Sequence, residues 1–398
     1  MMIGLLRTSE TPPVAFADLL TMTCNYQGIK LLYMTPSNID IKTGMVTGKM
    51  LIENEWRNIK TKLPKFIDAT PYLFSGANAK KYQKEIRYLK KSTRLSINRR
   101  HLIQKDELQR MLTKHKELKE LAIETEEVTT FEKLISFLDK HNSIILKPVL
   151  SYGGKNVAII QKDDKDYTYI EEENKKITFK ELSELYDEKY SKRAYVIQEY
   201  VVSRSLFDDP IDCRVHLEKN GNNEWEVARS FVRIGLGEKV VSNISQGGGI
   251  SRVDPFLKAN FRENWKVIKK KIEHYSRVIP AELEKYKNED FMVMGLDLGL
   301  TIEGNVKLFE INTFPIVSPQ RAEIARLRAG YYKFVLKELA LEEEYGYSSL
   351  VKSNKKMLEE HKEFIKESKH LNKKLEEVKK STSWKVTKPL RKIKDWIK

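Results

Sequence analysis

The sequence has few of the residues on which several specialised folds depend. Only two cysteines occur in 398 residues, Cys24 and Cys213, far apart and without metal-ligand spacing. A disulfide framework is therefore not expected, and a reduced, cytoplasmic compartment is. No run of 18 apolar residues exists, and the start of the chain lacks a basic segment followed by a long apolar one. Neither a transmembrane helix nor a secretory signal is predicted.

Positive charge is abundant but unevenly distributed along the chain. The net charge is +16, and residues 351–398 carry 16 Lys and Arg against 7 Asp and Glu, a net of +9. The body of the chain is therefore only mildly basic. It shows no zinc-finger spacing and no aromatic-rich basic strand of the RNA-recognition kind. These absences argue against a nucleic-acid partner.

The pattern of apolar segments predicts an α/β protein with α+β lobes. A strand at 3–6, a helix near 14–22 and a strand at 29–34 give a βαβ order, which implies a parallel sheet. Residues 98–140 look helical, and 143–317 are rich in strands and turns. We divide the chain into an N-terminal α/β domain, the main lobes, a helical extension and a basic amphipathic tail, at 1–97, 98–330, 331–380 and 381–398.

Two carboxylates and an amide lie in a segment that predicts a β-hairpin. Two strand-like stretches flank Glu-Gly-Asn turn residues at 303–305, and Asp297 precedes Glu310 by thirteen residues. Glu310 and Asn312 are two apart, so their side chains leave the strand on one face, where the hairpin can bring Asp297 beside them. Oxygen ligands of this kind favour Mg²⁺. The alternative is a hairpin with polar residues at its rim, which the apolar surroundings make less attractive.

A glycine-rich turn follows a lysine that lies inside an apolar strand. Residues 151–156 read Ser-Tyr-Gly-Gly-Lys-Asn and join two strands, so they are not a Walker loop, which leads into a helix. Gly153 and Gly154 let backbone N–H groups turn toward an anion, and Lys155 adds charge. Lys147, in the strand, needs a partner if it is buried, and a phosphate would suit. A lysine whose stem reaches out from an edge strand is the alternative.

Three arginines are predicted on neighbouring strands. Asp212 and Arg214 alternate with apolar residues and share one face, while Arg229 and Arg233 lie on the returning strand. Guanidinium groups bind phosphates and carboxylates bidentately. Cross-strand salt bridges are the alternative, with equal weight for Arg229. Asn243 precedes a run of three glycines, in a polar loop of the kind that closes over substrates.

The order of these elements resembles the ATP-grasp superfamily. The resemblance covers roughly residues 1–330, most strongly 143–317, and is closest to the endospore-coat-associated branch, with its D-x-R-V and R-I-G strands, its S-N-x-S-x-G-G loop and its G-L-D…E-I-N ending. The ending E-I-N-T-F-P is also similar to that of D-alanine–D-alanine ligases. Tyr152 departs from the family, which often has a small residue there. The resemblance implies an ATP-grasp fold with an N-terminal pre-ATP-grasp α/β unit and a long C-terminal helical tail.

The resemblance also implies a role for each candidate residue. ATP would be held by nine residues, with its adenine against the hinge at 198–201: Lys147, Ser151, Gly153, Gly154, Lys155, Gln198, Glu199, Tyr200 and Val201. Mg²⁺ would be held by three, Asp297, Glu310 and Asn312. Three more would take part in the reaction, Arg214, Arg233 and Asn243, with Arg233 preferred as the arginine that stabilises a tetrahedral intermediate.

The implied activity is an ATP-dependent carboxylate–amine ligase that forms an amide through an acyl phosphate. Its substrates would be a small acid and an amine, or a glycan acceptor, in cell-envelope or surface-polysaccharide metabolism. A phosphotransferase on the same fold and a non-catalytic nucleotide-binding coat or envelope protein are the alternatives. The intact metal and lysine positions argue against the non-catalytic alternative, whereas the sequence does not separate ligase from kinase.

The C-terminal segment predicts contacts outside the main lobes. Apolar residues recur every seven positions from Leu350 to Val378, on a helix that would pack along the body or pair with one partner helix. Residues 381–398 are basic and amphipathic, with Trp384 and Trp396, and resemble a tail found on bacterial glycosyltransferases of surface-polysaccharide pathways. Such a tail is typical of a peripheral contact with the inner face of the cell membrane. A solvated charged helix is the equal alternative.

Overall fold

The computed structural model describes residues 1–9, 14–97, 101, 103–149, 156–171, 173–235, 248–315 and 321–345, with isolated positions at 370, 374 and 377. The chain divides into two units, Met1–Val335 and Leu336–Lys398. The candidate site lies in the first of them. The finer division proposed from the sequence stays a prediction.

The N-terminal part is built on a mixed seven-stranded sheet. In spatial order its strands are β3 (Ile39–Asp40), β4 (Met45–Ile52), β2 (Lys30–Met34), β1 (Met2–Leu6), β6 (Phe66–Ala69) and β7 (Arg94–Leu95), with β5 (Glu55–Lys62) paired to β4. Its helices are α1 (Val14–Tyr26), α2 (Gly76–Lys81) and α3 (Gln83–Ser92). Helix α1 connects β1 to β2, which pair in parallel, so the βαβ prediction is confirmed. The β4–β5 hairpin was not predicted; its turn is made by Glu53 and Asn54, with φ of 53° and 65°.

A second sheet follows, and its two faces have different partners. In spatial order its strands are β12 (Asn174–Ile177), β11 (Tyr167–Ile170), β10 (Ala158–Lys162), β9 (Ser143–Pro148), β13 (Tyr195–Glu199) and β8 (Thr125–Glu127). The associated helices are α4 (Lys105–Lys114), α5 (Phe131–His141) and α6 (Phe179–Leu185). Ile144 and Leu146 of β9 belong to the same core as the buried residues of α5. Because side chains alternate along a strand, Ile145 and Lys147 face the other side. Residues 98–140 contain α4 and most of α5, as expected, but the short strand β8 between them was not predicted.

The third sheet is antiparallel and carries most of the candidate site. In spatial order its strands are β16 (Gly249–Arg252), β15 (Trp225–Ile234), β14 (Ile211–Lys219), β17 (Val293–Leu300) and β18 (Val306–Asn312). The last helices are α7 (Val253–Phe261), α8 (Trp265–Lys287) and α9 (Arg321–Tyr345). Val215 and Leu296 belong to the core shared with α7 and α8. Alternation therefore places Arg214 and Asp297 on the opposite face.

The predicted α/β class is confirmed. Cys24 and Cys213 are both free and buried. None of the helices in the described ranges combines the length and the apolar character that crossing a bilayer requires.

Candidate functional site

The predicted hairpin forms and places its polar residues side by side. β17 and β18 are antiparallel neighbours, with Asp297 opposite Glu310 and Gly295 opposite Asn312. The register shifts just after Asp297, so Phe309 is an extra residue in β18. A Cβ atom at Gly299 would lie 2.2 Å from Phe309 Cζ, so glycine is needed there to let this ring lie over the strand. The bulge thereby sets both Phe309 and Glu310 on the face of Asp297.

Asp297 is surrounded by donors. Arg214 reaches it with two nitrogens, Nη2 at 2.9 Å from Oδ2 and Nε bonded to Oδ1, and Arg233 Nη2 lies 3.0 Å from Oδ2. Asn312 Nδ2 donates to the same oxygen at 3.2 Å. Burial alone would raise the pKa of Asp297, but the charges of Arg233 and Arg214 outweigh it and hold that pKa below its usual value. Asp297 is therefore a fixed anion on an interior strand of the third sheet.

Glu310 has a different environment from its cross-strand neighbour. Its side chain is half-buried, and no described residue donates a hydrogen bond to its carboxylate. Burial, and then the negative charge of Asp297, raise the pKa of Glu310. The charges of Lys105 and Lys147 act in the opposite direction. A cation placed between the two carboxylates would relieve both the burial cost and the repulsion.

The donor set fits Mg²⁺. Glu310 offers a carboxylate without a protein donor, and Asn312 retains its carbonyl oxygen because its nitrogen bonds Asp297. Across the described ranges, no three His, Cys, Asp or Glu side chains converge as a metal site. A trio of two carboxylates and an amide matches the sparse protein shell that Mg²⁺ uses when phosphate oxygens supply further ligands.

The two candidate arginines are each held by a carboxylate. Arg233 Nε lies 2.6 Å from Asp212 Oδ1, and its Nη2 bonds Asp212 Oδ2. The cross-strand salt bridge left open for Asp212 is therefore present, as is the pairing of Arg214 with Asp297. For Arg229, the described residues show no salt bridge. Bidentate pairing fixes the plane of each guanidinium, so Arg214 and Arg233 present their remaining edges in a defined direction.

The side chain of Lys147, in strand β9 of the second sheet, is held by a residue of the neighbouring strand β13. Its Nζ donates to Gln198 Oε1 at 2.6 Å, and Gln198 Nε2 donates to Thr125 Oγ1 at 2.8 Å. The ammonium lies 5.7 Å from the centre of the Phe309 ring, at the bulge beside Glu310. Burial, and then the charge of Lys105, lower the pKa of Lys147 to about 8, against the opposing charge of Glu310. Lys147 is half-buried, and β9 lies between β10 and β13, so the edge-strand alternative does not apply; the side chain of Gln198 positions the ammonium.

The hinge residues border an apolar surface that the sequence did not reveal. Tyr200 packs against a buried cluster made of Ile145, Val157, Ile159 and Ile170, on the Lys147 side of the second sheet. Strand β13 ends at Glu199, so the hinge at 198–201 begins in the strand and continues beyond it. The amides of Glu199 and Tyr200 donate to Glu124 and Ser143 carbonyls at 3.0 Å each, whereas among described residues the Val201 amide has no acceptor. A flat apolar group lying on this cluster would have that amide at its edge.

One further cation near the site gave no signal in the sequence. Lys105, at the start of α4, donates to the Pro148 carbonyl at 3.1 Å. Burial lowers its pKa, and the charge of Glu310 opposes that shift. In the sequence, Lys105 is only one of many charged residues in a helical segment that carries both signs of charge. Other candidates lie outside the described residues: Ser151, Gly153, Gly154, Lys155 and Asn243.

Two sequence comparisons with known proteins indicate the same family. A sequence model of the family described as YheC/D-like ATP-grasp matches residues 94–336, more than half of the chain. The endospore coat-associated protein YheC of Bacillus subtilis (strain 168) is 24% identical over 309 residues, which cover 74% of this chain and 85% of that protein.

Solved structures with a similar arrangement include the D-cycloserine synthetase DcsG, at 12% identity and a TM-score of 0.49, covering 83% of this chain and 99% of that one. The ATP-grasp ligase PsnB, complexed with a minimal precursor, Mg and ADP, is 11% identical with a TM-score of 0.46, covering 83% and 98%. The family match contains every described candidate residue of the site.

Proposed function

The chain belongs to the YheC/D-like ATP-grasp family, and from this premise we propose that it is an ATP-dependent, Mg²⁺-dependent carboxylate–amine ligase. The observation that carries the proposal is the meeting of Lys147 and Glu310, from two different sheets, at the Phe309 bulge. A cation that would bind phosphate and a carboxylate that would bind the metal therefore lie close together, which is the arrangement that a nucleoside triphosphate with its metal requires.

The charges of the site favour a polyanionic ligand. Its buried or half-buried cations outnumber its carboxylates: Lys105, Lys147, Arg214 and Arg233 face Asp212, Asp297 and Glu310. An excess of buried positive charge is costly without an anion. The phosphates of ATP would supply that anion next to the lysines, and the adenine would lie on the apolar cluster beside Tyr200.

Each side chain would have a defined part in the reaction. Asp297, Glu310 and Asn312 would hold Mg²⁺, which supplies charge neutralisation at the β and γ phosphates. Lys147 and Lys105 would hold phosphate oxygens by their ammonium groups. A carboxylate oxygen of the acid then attacks the γ phosphorus, ADP departs, and an acyl phosphate forms. Arg214 and Arg233, whose planes are fixed by carboxylates, would orient the attacking group.

Amide formation would follow at the acyl carbon. The amine nitrogen attacks this carbon, the carbonyl oxygen becomes negative, and phosphate leaves as the nitrogen loses a proton. A fixed guanidinium stabilises such an oxygen because it needs little reorganisation. Arg233 is our preferred candidate, with Arg214 as the second; Asn243 would close the site from its loop.

The activity is tested by measuring ADP and inorganic phosphate released from ATP and Mg²⁺ with panels of acids, amines and glycan acceptors. A ligase releases both products only when an acid and an amine are both present. ADP without free phosphate, with the phosphoryl group on one acceptor, would identify a kinase instead. Absence of turnover with every pair, although ATP still binds, would contradict the ligase proposal.

We further propose that the enzyme acts in cell-envelope or surface-polysaccharide metabolism, in the cytoplasm at the inner face of the membrane. The support is the basic amphipathic character of residues 381–398. Deletion of 381–398 should weaken binding to vesicles that contain anionic lipid and leave ATP turnover in solution unchanged. Sedimentation with vesicles measures the first and ADP release the second. Equal vesicle binding by the truncated protein would remove the membrane contact.

A further inference from the structure

The excess positive charge of the first 350 residues is concentrated in one short segment. Residues 76–94, which contain α2 and α3, carry seven Lys and Arg against one Glu, a net of +6. Residues 1–350 as a whole carry +7, since 351–398 account for +9 of the total of +16. Nearly all of the excess outside residues 351–398 therefore lies in and beside these two helices.

Helix α3 has one buried side and one side made of cations. Leu89 is fully buried in the core of the N-terminal part. Lys84, Arg87 and Lys91 follow the spacing i, i+3 and i+7, which places them together on one face, and Lys90 borders that face. All four of these side chains are exposed, and together they form the basic face of α3.

The basic face is not neutralised by carboxylates of the protein. The only acidic residue of α3, Glu85, precedes Leu89 by four positions and is half-buried on that side of the helix. None of the four cations forms a salt bridge with a described residue, whereas Arg94, just after the helix, is paired with Asp290. Like charges at three- and four-residue spacing repel one another, so an anionic partner would relieve a repulsion that the protein leaves in place.

An exposed aromatic ring lies beside the basic face. Lys90 Nζ lies 5.8 Å from the centre of the Phe74 ring, in the 3₁₀ turn Pro71–Phe74 that precedes α2. Tyr72 in the same turn is 62% exposed, and its carbonyl accepts a hydrogen bond from Asn78 Nδ2 of α2 at 3.2 Å. A tyrosine next to exposed cations suits the boundary between lipid headgroups and water, because its ring is apolar and its hydroxyl is polar.

We propose that the basic face of α3, with Tyr72, binds the anionic surface of a lipid bilayer. Its cations contact acidic headgroups, and the tyrosine ring lies among them. A bilayer is favoured over nucleic acid or a soluble polyanion because residues 381–398 have the same basic and aromatic composition, and two such elements bind one extended surface more tightly than either alone. The choice of partner thus rests on the membrane contact proposed above, whereas the basic face does not depend on the ligase activity.

The experiment measures the partition of the full chain onto vesicles by sedimentation. The vesicles are phosphatidylcholine alone or phosphatidylcholine with about one-third phosphatidylserine, at about 0.1 M and about 0.5 M salt. A charge-conserving variant exchanges lysine and arginine at the three substituted positions. The test variant replaces three cations of the basic face at once: Lys84→Gln, Arg87→Gln and Lys91→Gln.

Helix α8 supplies the matched control. Lys266, Lys270 and Arg277 are exposed on one side of this helix, at the spacing i, i+4 and i+11, and they share that side with the exposed Glu273. Replacing these three cations with glutamine removes the same net charge as the test variant. The control therefore differs from the test only in taking the charge from a face that also carries a carboxylate.

The test variant should partition onto anionic vesicles about 30- to 200-fold more weakly at the lower salt concentration, because each basic residue near such a surface contributes roughly fivefold. The difference should shrink at the higher salt concentration. The charge-conserving variant should bind as the unaltered protein does, and the control should lose much less. Tyr72→Ser should weaken partition severalfold at both salt concentrations, because contact of the ring with the headgroups is not screened. Melting temperature and ADP release in solution should not change in the test variant, whose substituted residues are exposed.

Unchanged partition of the test variant, or equal weakening in the test variant and the control, would overturn the inference. Binding of duplex DNA or polyphosphate that is lost in the test variant, with vesicle partition unchanged, would overturn the lipid partner. Two further results separate this surface from the earlier proposals. If deletion of 381–398 abolishes partition while the test variant partitions normally, the tail contact stands and this one is removed. If partition depends on the basic face in a protein that forms no amide, this surface stands and the ligase is removed.

Discussion

Two groups of buried charges lie in the same unit of this protein, and they differ in whether positive and negative charges are equal in number. The interior network consists of Arg7, Asp68, Glu218 and Arg328, with two cations and two anions. Arg328 Nη2 lies 2.5 Å from Glu218 Oε1, and Asp68 also accepts a hydrogen bond from Tyr332. In the site, by contrast, the cations outnumber the carboxylates, and Glu310 has no described donor.

We infer that the difference separates charges that stabilise the fold from charges that would bind a ligand. Burial would raise the pKa of Asp68, but the charges of Arg7 and Arg328 hold it below its usual value, so every member of the interior network has an opposite charge beside it. Lys147 and Glu310 carry pKa values shifted toward their neutral forms. A balanced network stabilises the fold without a ligand, whereas an unbalanced one is stabilised when the ligand arrives.

The largest effect is expected from Glu310→Gln. The amide is similar in size but lacks the negative charge needed to hold Mg²⁺, so turnover should fall on the order of 1,000-fold or more. The fold should remain intact, because replacing a carboxylate beside Asp297 removes a repulsion. ADP release measures the first effect, and thermal unfolding the second.

The matched control for this substitution is Glu303→Gln, in the exposed turn of the same hairpin. It should leave turnover and melting temperature unchanged. Turnover of Glu310→Gln equal to that of the unaltered protein would remove the metal assignment. A large loss of stability would place Glu310 among the structural charges and erase the contrast.

Arg328→Met should lower stability and leave turnover unchanged, whereas Glu310→Gln should lower turnover and leave stability unchanged. Arg328 is 2% exposed. Its replacement removes the guanidinium that pairs with Glu218 and leaves Asp68 paired with Arg7 alone. Breaking a buried ion pair in this way costs about 3–5 kcal/mol of folding free energy. Denaturant unfolding measures this loss, with Arg326→Gln on the same helix as the control. Turnover per folded molecule should be retained; lower turnover at unchanged stability would move Arg328 into the reaction centre.

The contrast also explains which features the sequence could reveal. The hairpin with Asp297, Glu310 and Asn312 was predictable because strand alternation and a turn signal are local, and Lys147 was visible as one charge in an apolar strand. The role of Arg328 was not visible, since its partners are 110 residues (Glu218) and more than 250 residues (Asp68) away in sequence. Pairing across the sheets, and not local pattern, decides such contacts.

The same reasoning applies to the residues that we propose to bind the nucleotide. The sequence predicted a hinge at 198–201, but not that β13 ends within it, at Glu199, where its pairing with β8 and β9 ends. The apolar cluster beside Tyr200 is assembled from strands β9, β10 and β11, so only the fold brings it together. Lys105 likewise reaches the site through the position of α4.

The smallest expected effect concerns Lys147 and pH. With a pKa of about 8 in the free protein, its ammonium is charged at pH 7 and increasingly neutral above pH 8. ATP affinity should therefore be constant below about pH 8 and fall by up to about tenfold for each further pH unit. Lysine in the unfolded chain keeps its proton to higher pH, so the unfolded state binds more protons between pH 8 and about 10.4. This group should make stability rise with pH in that window.

Lys147→Arg separates these effects, because a guanidinium keeps its charge throughout this range. Calorimetric titration with an ATP analogue between pH 7 and 9.5 should show a smaller decrease in affinity for this variant than for the unaltered protein. Lys105→Arg is the comparison, since burial lowers the pKa of Lys105 as well. If affinity in the unaltered protein is independent of pH up to 9.5, Lys147 holds its charge without a ligand and belongs with the balanced charges of the interior.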